Sequence, residues 1–431
     1  MRATRRELMI GGSAAAAALA IGASAQTEVQ AQDKVKITWW HISTIESEKA
    51  AFQKLADDYV AANPNVEIEI TVLENEAFKQ KIATAMQSGE PPDIFQSWGG
   101  GVLFEYADAG LVKDISSDLA VDGWGESFLP AALGLFTRDG ATYGAPWRIG
   151  MVCFWYNKDL FTQAGIEAPP TTWDELLTTA QTLKDAGITP ITVGEGDKWP
   201  GHFYWVYLAI RTGGKAAFDA AYTGTGSFTD PPFVEAGTLL KELVDAEPFQ
   251  DGFLGATYNE AAAVIANGEA AMELMGQWAP NTQKDESESG EGLGDKLGIF
   301  TFPAVADGAG APSDVLGGGD GYGIGKNASP EAIDFVRYLT SVENQTALCA
   351  AGIAVPPAVE AAASAIADPL LQQVAQMAAD AEYLQLYYDQ YLPPAVGGAV
   401  VDNVQGIFAG SESPEEVAQA IQDSFVAEMG A

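Results

Sequence analysis

Residues 143–161 read YGAPWRIGMVCFWYNKDLF. This stretch opens with a Gly-Ala-Pro turn and closes with Tyr156-Asn157-Lys158. Between its ends, Met151 to Tyr156 form a continuous apolar run, which is typical of a strand buried on both faces of a sheet. The pattern leaves two roles open for this strand. It is either an ordinary central strand of one domain or a strand that crosses between two lobes.

Alternating strands and helices flank this stretch on both sides. The predicted elements before it are a strand at 35–39, a helix ending at 62, a strand at 66–72, a helix at 78–86 and a strand at 94–95. Those after it include a helix opened by a capping box at 172–175, helices near 201–212, 232–245 and 258–267, and strands at 191–193, 270–274, 297–302 and 321–324. Residues 281–296 are predicted to be a solvated loop, and the chain from 329 onward mainly helical, with one helix at 383–391. This order implies a mostly parallel α/β sheet.

The composition narrows the class of protein. The chain has 431 residues, of which 47% are hydrophobic, enough for two or three units of ordinary domain size. Its formal charge of -37 repels phosphate backbones and anionic lipids, so no nucleic-acid partner is expected. The two cysteines, Cys153 and Cys349, cannot form a zinc motif and are predicted to be buried thiols, with a single disulfide left open. The two histidines, His41 and His202, have no metal-ligand spacing, so no metal or cofactor is expected.

The N-terminus carries a predicted export signal. Arg5-Arg6 lie in a twin-arginine-like motif, and Ile10 to Ala25 follow as a weakly apolar segment of small residues. This segment is too short and too weakly apolar to anchor the protein in a membrane. Residues 1–31 are therefore predicted to be removed by cleavage after about Ala25 or Ala31. Because no cysteine lies near either site, the expected product is a periplasmic protein and not a lipoprotein.

Tryptophans recur at predicted strand ends and loops, each with polar neighbours. They are Trp40, Trp98, Trp147, Trp199 and Trp278. In a parallel α/β sheet, ligands bind outside the carboxyl ends of strands. A sugar ring needs a flat apolar partner for its C–H face and fixed hydrogen-bond partners for its hydroxyls, which such positions supply. The pattern favours a carbohydrate cleft, although any one tryptophan could equally pack in a core.

Several segments, in order along the chain, resemble the extracellular solute-binding proteins of family 1, the maltose-binding-protein-like sugar receptors of ABC importers. They are Ile37–Trp40, Pro92–Phe95, Tyr143–Pro146 with Tyr156–Phe161, Met275–Trp278, Gly318–Ile324 and Leu386–Pro394. The resemblance implies an α/β, two-lobed periplasmic-binding-protein fold of type II, with three hinge crossings and a ligand cleft between the lobes. The implied N-lobe comprises residues 32–148 and 299–327, and the C-lobe comprises residues 149–298 and 328–431.

The resemblance also implies a function and a set of site residues. The expected role is to deliver a sugar, in particular a short oligosaccharide, to the membrane permease subunits of an ABC importer, as a monomer and without catalysis. The candidate ligand-binding residues are Trp40, His41, Gln96, Trp98, Arg148, Asp197, Trp199, Gln277, Trp278, Gly319, Asp320, Tyr388 and Asp389. The aromatic members Trp98, Trp199, Trp278 and Tyr388 are expected to stack on sugar rings.

Two other functions stay open at this point. A secreted glycoside hydrolase would also be acidic and rich in tryptophan, and it would need two carboxylates about 5–9 Å apart. A receptor for a non-sugar solute such as a polyamine would suit the acidic loops. Arg148 is equally able to pair with an acidic neighbour at the hinge.

Overall fold

The computed structural model describes residues 34–430, so the predicted export signal at 1–31 lies outside the described residues. The strands are β1 (Val35–His41), β2 (Val66–Val72), β3 (Ile94–Ser97), β4 (Thr137–Arg138), β5 (Ala141–Thr142), β6 (Gly144–Asn157), β7 (Thr189–Thr192), β8 (Ala270–Gly276), β9 (Leu297–Phe300), β10 (Val315–Ile324) and β11 (Leu384–Leu386). β4 and β5 form a separate hairpin.

The α-helices are α1 (Glu46–Ala62), α2 (Asn75–Gln87), α3 (Gly100–Asp108), α4 (Ser116–Leu119), α5 (Pro130–Gly134), α6 (Lys158–Gln163), α7 (Trp173–Asp185), α8 (Trp199–Tyr222), α9 (Pro231–Asp245), α10 (Tyr258–Ala266), α11 (Ala279–Glu286), α12 (Pro330–Leu339), α13 (Val342–Ala350), α14 (Pro369–Asp380), α15 (Tyr388–Tyr391), α16 (Pro394–Phe408) and α17 (Pro414–Met429). Capping boxes at Thr172, Thr257 and Ser413 fix where α7, α10 and α17 begin. Within residues 34–430, no helix has the length and apolar character needed to cross a membrane.

The main sheet is mixed. Its strand order is β2-β1-β3-β10-β6-β8-β7, with β11 added to β10 and β9 added to β6. β1 runs parallel to β2 and β3, and β7 runs parallel to β8. β10 is antiparallel to β3 and β6, and β6 is antiparallel to β8. The α/β class is confirmed, but the sheet is less uniformly parallel than the strand–helix alternation predicted, because β6 and β10 run against their neighbours.

The long strand β6 changes partners halfway along its length. Gly144–Met151 pair with β10, whereas residues 152–157 pair with β8 and β9. All 14 of its residues are buried except Ile149 and Tyr156, which are half-buried. The prediction of a long strand covered on both faces is therefore confirmed. Each half of β6 serves a different group of strands.

Three predicted boundaries were wrong, for reasons that depend on tertiary contacts. The predicted loop at 281–296 begins inside helix α11, which starts just before Pro280 and buries Thr282 and Gln283. The predicted helix at 383–391 contains strand β11, which pairs in parallel with the start of β10. β10 itself starts at Val315, six residues before the predicted strand at 321. The sequence did not predict this earlier start, because the run of glycines has low strand propensity. A side chain at Gly317 would meet the backbone oxygen of Gly150, so close pairing requires glycine there.

Helix α12 packs against the first strands of the chain. The ring of Phe335 lies 5.3 Å from that of Trp39 and 4.9 Å from that of Tyr59, and the Tyr59 hydroxyl donates to the Glu331 carbonyl at 3.2 Å. The sequence analysis grouped 328–431 with the C-lobe, but these contacts join α12 to elements of the predicted N-lobe. The apolar periodicity of an amphipathic helix predicts that one of its faces is buried, but it does not predict which strands that face packs against.

Both cysteines are buried free thiols in this structure. Cys153 lies on β6 and Cys349 on α13, and both have zero exposed fraction. Burial raises the pKa of the Cys349 thiol to about 12, and it raises that of Cys153 further. They are inert core residues here, and the disulfide left open by the sequence is not formed.

Candidate functional site

A cavity of about 240 Å³, hereafter the main cavity, lies over the middle of the sheet. Its floor includes Arg148 from β6 and Asp320 from β10, which face each other across the strand pair just before a β-bulge. Bulges next to binding sites redirect side chains. The predicted ligand-binding residues that line the main cavity are Gln96, Trp98, Arg148, Trp199, Trp278, Asp320 and Asp389.

A second cavity of about 570 Å³, the side cavity, lies next to the main cavity. Asp197 lines the side cavity, and its carboxylate accepts a hydrogen bond from the Tyr258 backbone N–H at 2.8 Å. This bond uses one carboxylate oxygen to hold the start of α10. Asp197 therefore borders the binding region but already has a structural partner.

Other predicted residues lie outside both cavities. His41 is 2% exposed beside Trp39 and Phe52, and burial lowers its pKa to about 4, so it is a neutral core residue. Trp40 lies under the ammonium of Lys81, 4.4 Å from its ring centre. The pleat of a strand explains these positions, because successive side chains of β1 point to opposite faces.

Three more of the predicted ligand-binding residues have structural roles in the fold. Gln277 accepts a hydrogen bond from the Met151 backbone N–H at 2.9 Å, which ties the end of β8 to β6. Gly319 is buried within β10. Tyr388 is 1% exposed and packs among the rings of Trp205, Phe218 and Phe228, with Phe218 at 5.0 Å. The structure does not place Gln277, Gly319 or Tyr388 where a ligand in either cavity would touch them.

The floor of the main cavity is a closed ionic network, the Arg148 cluster, which comprises Glu48, Gln96, Arg148 and Asp320. Arg148 Nε donates to Asp320 Oδ2 at 2.6 Å, and its Nη1 donates to Glu48 Oε1 at 3.2 Å. Gln96 Nε2 donates to the other oxygen of Asp320 at 2.9 Å. Burial opposes the charge on Arg148, but the two carboxylates raise the pKa of its guanidinium above its ordinary value. The network holds the floor rigid and keeps its charges paired.

A second group on the cavity wall, the Lys79 cluster, comprises Lys79, His202, Asp389 and Gln390. Lys79 Nζ lies 3.3 Å from Asp389 Oδ2, and Gln390 Nε2 donates to that oxygen at 2.9 Å. His202 Nδ1 lies 2.5 Å from the Trp199 carbonyl oxygen. Because that oxygen only accepts, Nδ1 carries a proton. Burial lowers the pKa of His202, so the ring is neutral and Nε2 is an acceptor.

The neutral His202 leaves two acceptors facing each other. Its Nε2 lies 3.5 Å from Asp389 Oδ1, and neither atom supplies a proton to the other. Nε2 has no hydrogen-bond partner among the described residues. The Tyr387 hydroxyl and the Trp147 indole N–H, on the same cavity, also have none within residues 34–430. An unpaired buried polar group costs about 1–3 kcal/mol, which a polar ligand that reached these atoms would recover.

Aromatic rings form the remaining walls. Trp199 packs against Tyr258 at 5.1 Å and Trp278 at 6.3 Å between ring centres. Trp98 and Trp278 are half-buried, so each keeps part of its ring uncovered. Tyr387 stacks on Phe203 at 5.4 Å and 28°. The main cavity thus combines flat apolar faces with polar atoms that lack protein partners.

Several cavity residues were absent from the sequence-based site. They are Glu48, Lys79, His202, Phe203, Tyr258 and Tyr387. Glu48 and Lys79 lie on α1 and α2, where a charged residue carries no signal that separates it from other solvated positions. Tyr387 is the neighbour of the predicted Tyr388, and the aromatic run was a usable signal whose exact member depended on where α15 begins.

A strained backbone precedes Trp199. Lys198 has φ 64° and ψ -43°, a conformation that non-glycine residues rarely adopt and that costs about 1–3 kcal/mol. Its ammonium bonds Asp402 on α16 at 2.7 Å. Residue 198 joins a short turn to α8 and thereby sets the direction in which α8 starts with Trp199 at the cavity.

Within residues 34–430, no group of three or more His, Cys, Asp or Glu could hold a metal ion.

The fold matches that of known proteins. A chain solved in work on xylan utilization by the thermophilic bacterium Caldanaerobius polysaccharolyticus is 30% identical, with a TM-score of 0.84 over 90% of this chain and 99% of that one. A chitin oligosaccharide binding protein is 28% identical, with a TM-score of 0.85 over 93% of this chain and all of that one.

A curated relative gives a shorter match. An uncharacterized ABC transporter extracellular-binding protein of Pyrococcus horikoshii is 28% identical over 262 residues, which cover 59% of this chain and 58% of the relative. The chain thus spans less than two thirds of the length of the first curated relatives that it matches. The model of the family described as bacterial extracellular solute-binding protein matches residues 43–346, more than half of the chain. The chain belongs to this family.

Proposed function

We propose that this protein binds a sugar, in particular a short oligosaccharide, and delivers it to an ABC importer. The observation that carries the proposal is the main cavity, which is lined by Trp98, Trp199 and Trp278 together with polar atoms that have no partner among residues 34–430. Sugar rings stack on such faces, and their hydroxyls both donate and accept hydrogen bonds. Two similar solved structures come from xylan utilization and chitin oligosaccharide binding, which supports the same ligand class.

The Lys79 cluster explains why hydroxyls suit the site. A hydroxyl placed between His202 Nε2 and Asp389 would donate to one of these acceptors and accept from the Lys79 ammonium. Tyr387 would bond a second hydroxyl through its unpaired oxygen. The proposed contact residues are Gln96, Trp98, Arg148, Trp199, Trp278, Asp320 and Asp389 from the sequence, together with Lys79, His202 and Tyr387.

Two lobes that close on the ligand are part of this proposal. The change of partners along β6 near Met151 supports a first crossing there, close to the predicted lobe boundary between residues 148 and 149. The contacts of α12 with α1 and β1 support moving 330–339 into the N-lobe. Lys79 of α2 and Asp389 of α15 would then bond across the cleft and help to hold the closed form.

Binding without catalysis is the proposed mode of action. The deep carboxylates of the main cavity already have cationic partners: Glu48 and Asp320 bond Arg148, and Asp389 bonds Lys79. A glycosidase needs one carboxyl group free to protonate the leaving oxygen and a second to act on the other side of the ring. The paired state of these groups supports a receptor in preference to a hydrolase.

The remaining parts of the proposal concern location and partners. The family is extracellular, which supports export, and we propose that the exported form is periplasmic, carries no lipid anchor and acts as a monomer. Its protein partners would be the permease subunits of an importer. Export can be checked by mass spectrometry of the secreted protein, since cleavage after Ala25 or Ala31 gives products of different mass.

A ligand screen tests the proposed function directly. Purified protein is titrated with xylo-, chito- and malto-oligosaccharides while tryptophan fluorescence and thermal stability are followed, with spermidine as the polyamine probe. We expect saturable, stoichiometric binding of at least one sugar, a rise in melting temperature by mass action and no change in the sugar recovered. Release of shorter sugars by catalytic amounts of protein would overturn the receptor mode. Binding of spermidine alone would overturn the sugar assignment.

A further inference from the structure

The main and side cavities share one wall. Both are lined by Lys79, Gln96, Trp98, Trp199, Asp389 and Gln390. The side cavity continues from this wall between α2 and α3 on one side and α16 on the other. The two cavities therefore adjoin along these six residues.

The lining of the side cavity suits a continuing sugar chain. Phe78 and Tyr106 supply aromatic rings, and Asp197 and the Lys198–Asp402 ion pair supply charged atoms. Gly398 lies on the lining in the first half of α16. Polar and apolar surfaces thus alternate beyond the shared wall, as they do in the main cavity, and a saccharide presents both kinds of surface along its length.

We propose that the ligand is an oligosaccharide chain that starts in the main cavity, passes between Trp98 and Trp199, and ends in the side cavity. This inference rests on the proposed function and adds a second binding region to it. Units in the main cavity would bond the Arg148 and Lys79 clusters. Later units would contact the α2, α3 and α16 surfaces, so affinity should rise with chain length until the side cavity is filled.

Gly398 offers a way to close the side cavity alone. A Cβ added at Gly398 meets no heavy atom within 4 Å, so a larger side chain there has room without displacing the backbone. Because this glycine lines only the side cavity, Gly398→Phe would occupy ligand space there and leave the main cavity unchanged. Gly134→Phe is the matched control: it is an exposed glycine in α5, also with open space around its Cβ, and it lines neither cavity.

The experiment measures dissociation constants for one oligosaccharide series, from two to six units, by titration calorimetry. For the unaltered protein and Gly134→Phe, we expect affinity to increase with length. For Gly398→Phe, we expect unchanged affinity for the disaccharide and at least a tenfold loss for the longest member. Equal melting temperatures of the three proteins without sugar would show that the variants fold.

Different results would separate the two proposals. Tight disaccharide binding with no gain from added units would overturn the extended ligand and leave the proposed function intact. Equal weakening of every sugar by Gly398→Phe would also overturn it, because the side cavity would then matter for closure and not for ligand length. Failure of all proteins to bind any member of the xylo-, chito- and malto- series would overturn the proposed function itself.

Discussion

The two ionic clusters of the main cavity contain similar groups but differ in how completely they are bonded. In the Arg148 cluster, strands supply the cation and one carboxylate, and both carboxylates accept a hydrogen bond from the same buried guanidinium. In the Lys79 cluster, helices α2, α8 and α15 supply the members, and one acceptor of His202 has no partner among the described residues. The first cluster is complete within the protein, whereas the second leaves an acceptor that the proposed ligand would bond.

This difference suggests that the two clusters have different roles, one in stability and the other in ligand binding. An arginine that bonds one carboxylate on a strand and one on a helix forms a rigid floor, since its guanidinium fork is planar and pre-organised. A lysine on a helix is a mobile point charge whose position depends on how the surrounding elements sit. We therefore expect changes in the Arg148 cluster to affect mainly stability, and changes in the Lys79 cluster to affect mainly ligand affinity.

The largest effect is expected for Arg148→Met. It leaves Glu48 and Asp320 buried without a cation, and breaking a buried pair in this way costs about 3–5 kcal/mol. Urea unfolding followed by circular dichroism measures the loss in free energy. Lys36→Met, which removes an exposed ion pair with Glu69, is the control and should leave the midpoint unchanged. A midpoint for Arg148→Met equal to that of the control would break the comparison.

Glu273 sharpens the comparison, because it is a buried carboxylate without a cation. Its partner is the neutral amide of Gln283, whose Nε2 donates at 2.8 Å. Burial raises the pKa of Glu273 from 4.5 to about 7, and it raises that of the buried Glu195 as well. Between pH 4.5 and about pH 7, the Glu273 carboxyl keeps its proton in the folded state, whereas in the unfolded chain it has lost that proton. Stability due to Glu273 is therefore complete below pH 4.5 and is lost as the pH rises through about 7.

Glu273→Gln should remove this loss. A pKa shift of this size corresponds to a change in the free energy of unfolding on the order of 3 kcal/mol between pH 4.5 and pH 8. We expect the variant to gain stability relative to the unaltered protein by that amount as the pH rises, measured by urea unfolding at both pH values. Glu67→Gln, an exposed position on β2, serves as the control. A difference between variant and unaltered protein that stays constant with pH would show that Glu273 is ionised in the fold.

Much of the fold followed from periodicity. The continuous apolar run of β6, the strict alternation of β2 and the capping boxes of α7, α10 and α17 all predicted elements that the structure contains. The errors fall where a partner distant in sequence decides the outcome. β11 is a strand because β10 lies beside it.

Part of the cavity lining follows from the rule that ligands bind at the ends of strands. Gln96, near the end of β3, fits that rule, whereas Arg148 and Asp320 lie inside β6 and β10 and face each other there. Glu48 could not be found, because it reaches Arg148 from a helix 100 residues away. The choice of Tyr388 over Tyr387 was an error of helix phase: α15 begins at Tyr388, so the extended residue before it faces the cavity.

A smaller effect is expected for Lys79→Met, and it should appear in affinity. The substitution removes the donor that would bond a sugar hydroxyl beside Asp389. We expect the dissociation constant for the best sugar to increase about tenfold, which is equivalent to about 1.4 kcal/mol of binding free energy. The loss of stability should be much smaller than that caused by Arg148→Met. Lys81→Met, whose ammonium covers Trp40 outside both cavities, is the matched control and should bind normally. Destabilisation equal to that of Arg148→Met would contradict the proposed difference in roles.

The smallest effect concerns the charge of Asp389. Burial alone would raise its pKa, but the Lys79 ammonium and the hydrogen bond from Gln390 more than offset this and lower the pKa below its ordinary value of 3.8. A group with a lowered pKa contributes stability above its unfolded pKa and loses it as the pH falls through the folded value. The difference in melting temperature between the unaltered protein and Asp389→Asn, about 1–2 °C, should therefore stay constant from pH 7 to about pH 4 and shrink below it. A difference that already shrinks near pH 6 would mean that Lys79 does not keep Asp389 charged, and the wall of the cavity would then be neutral where we propose that it bonds the ligand.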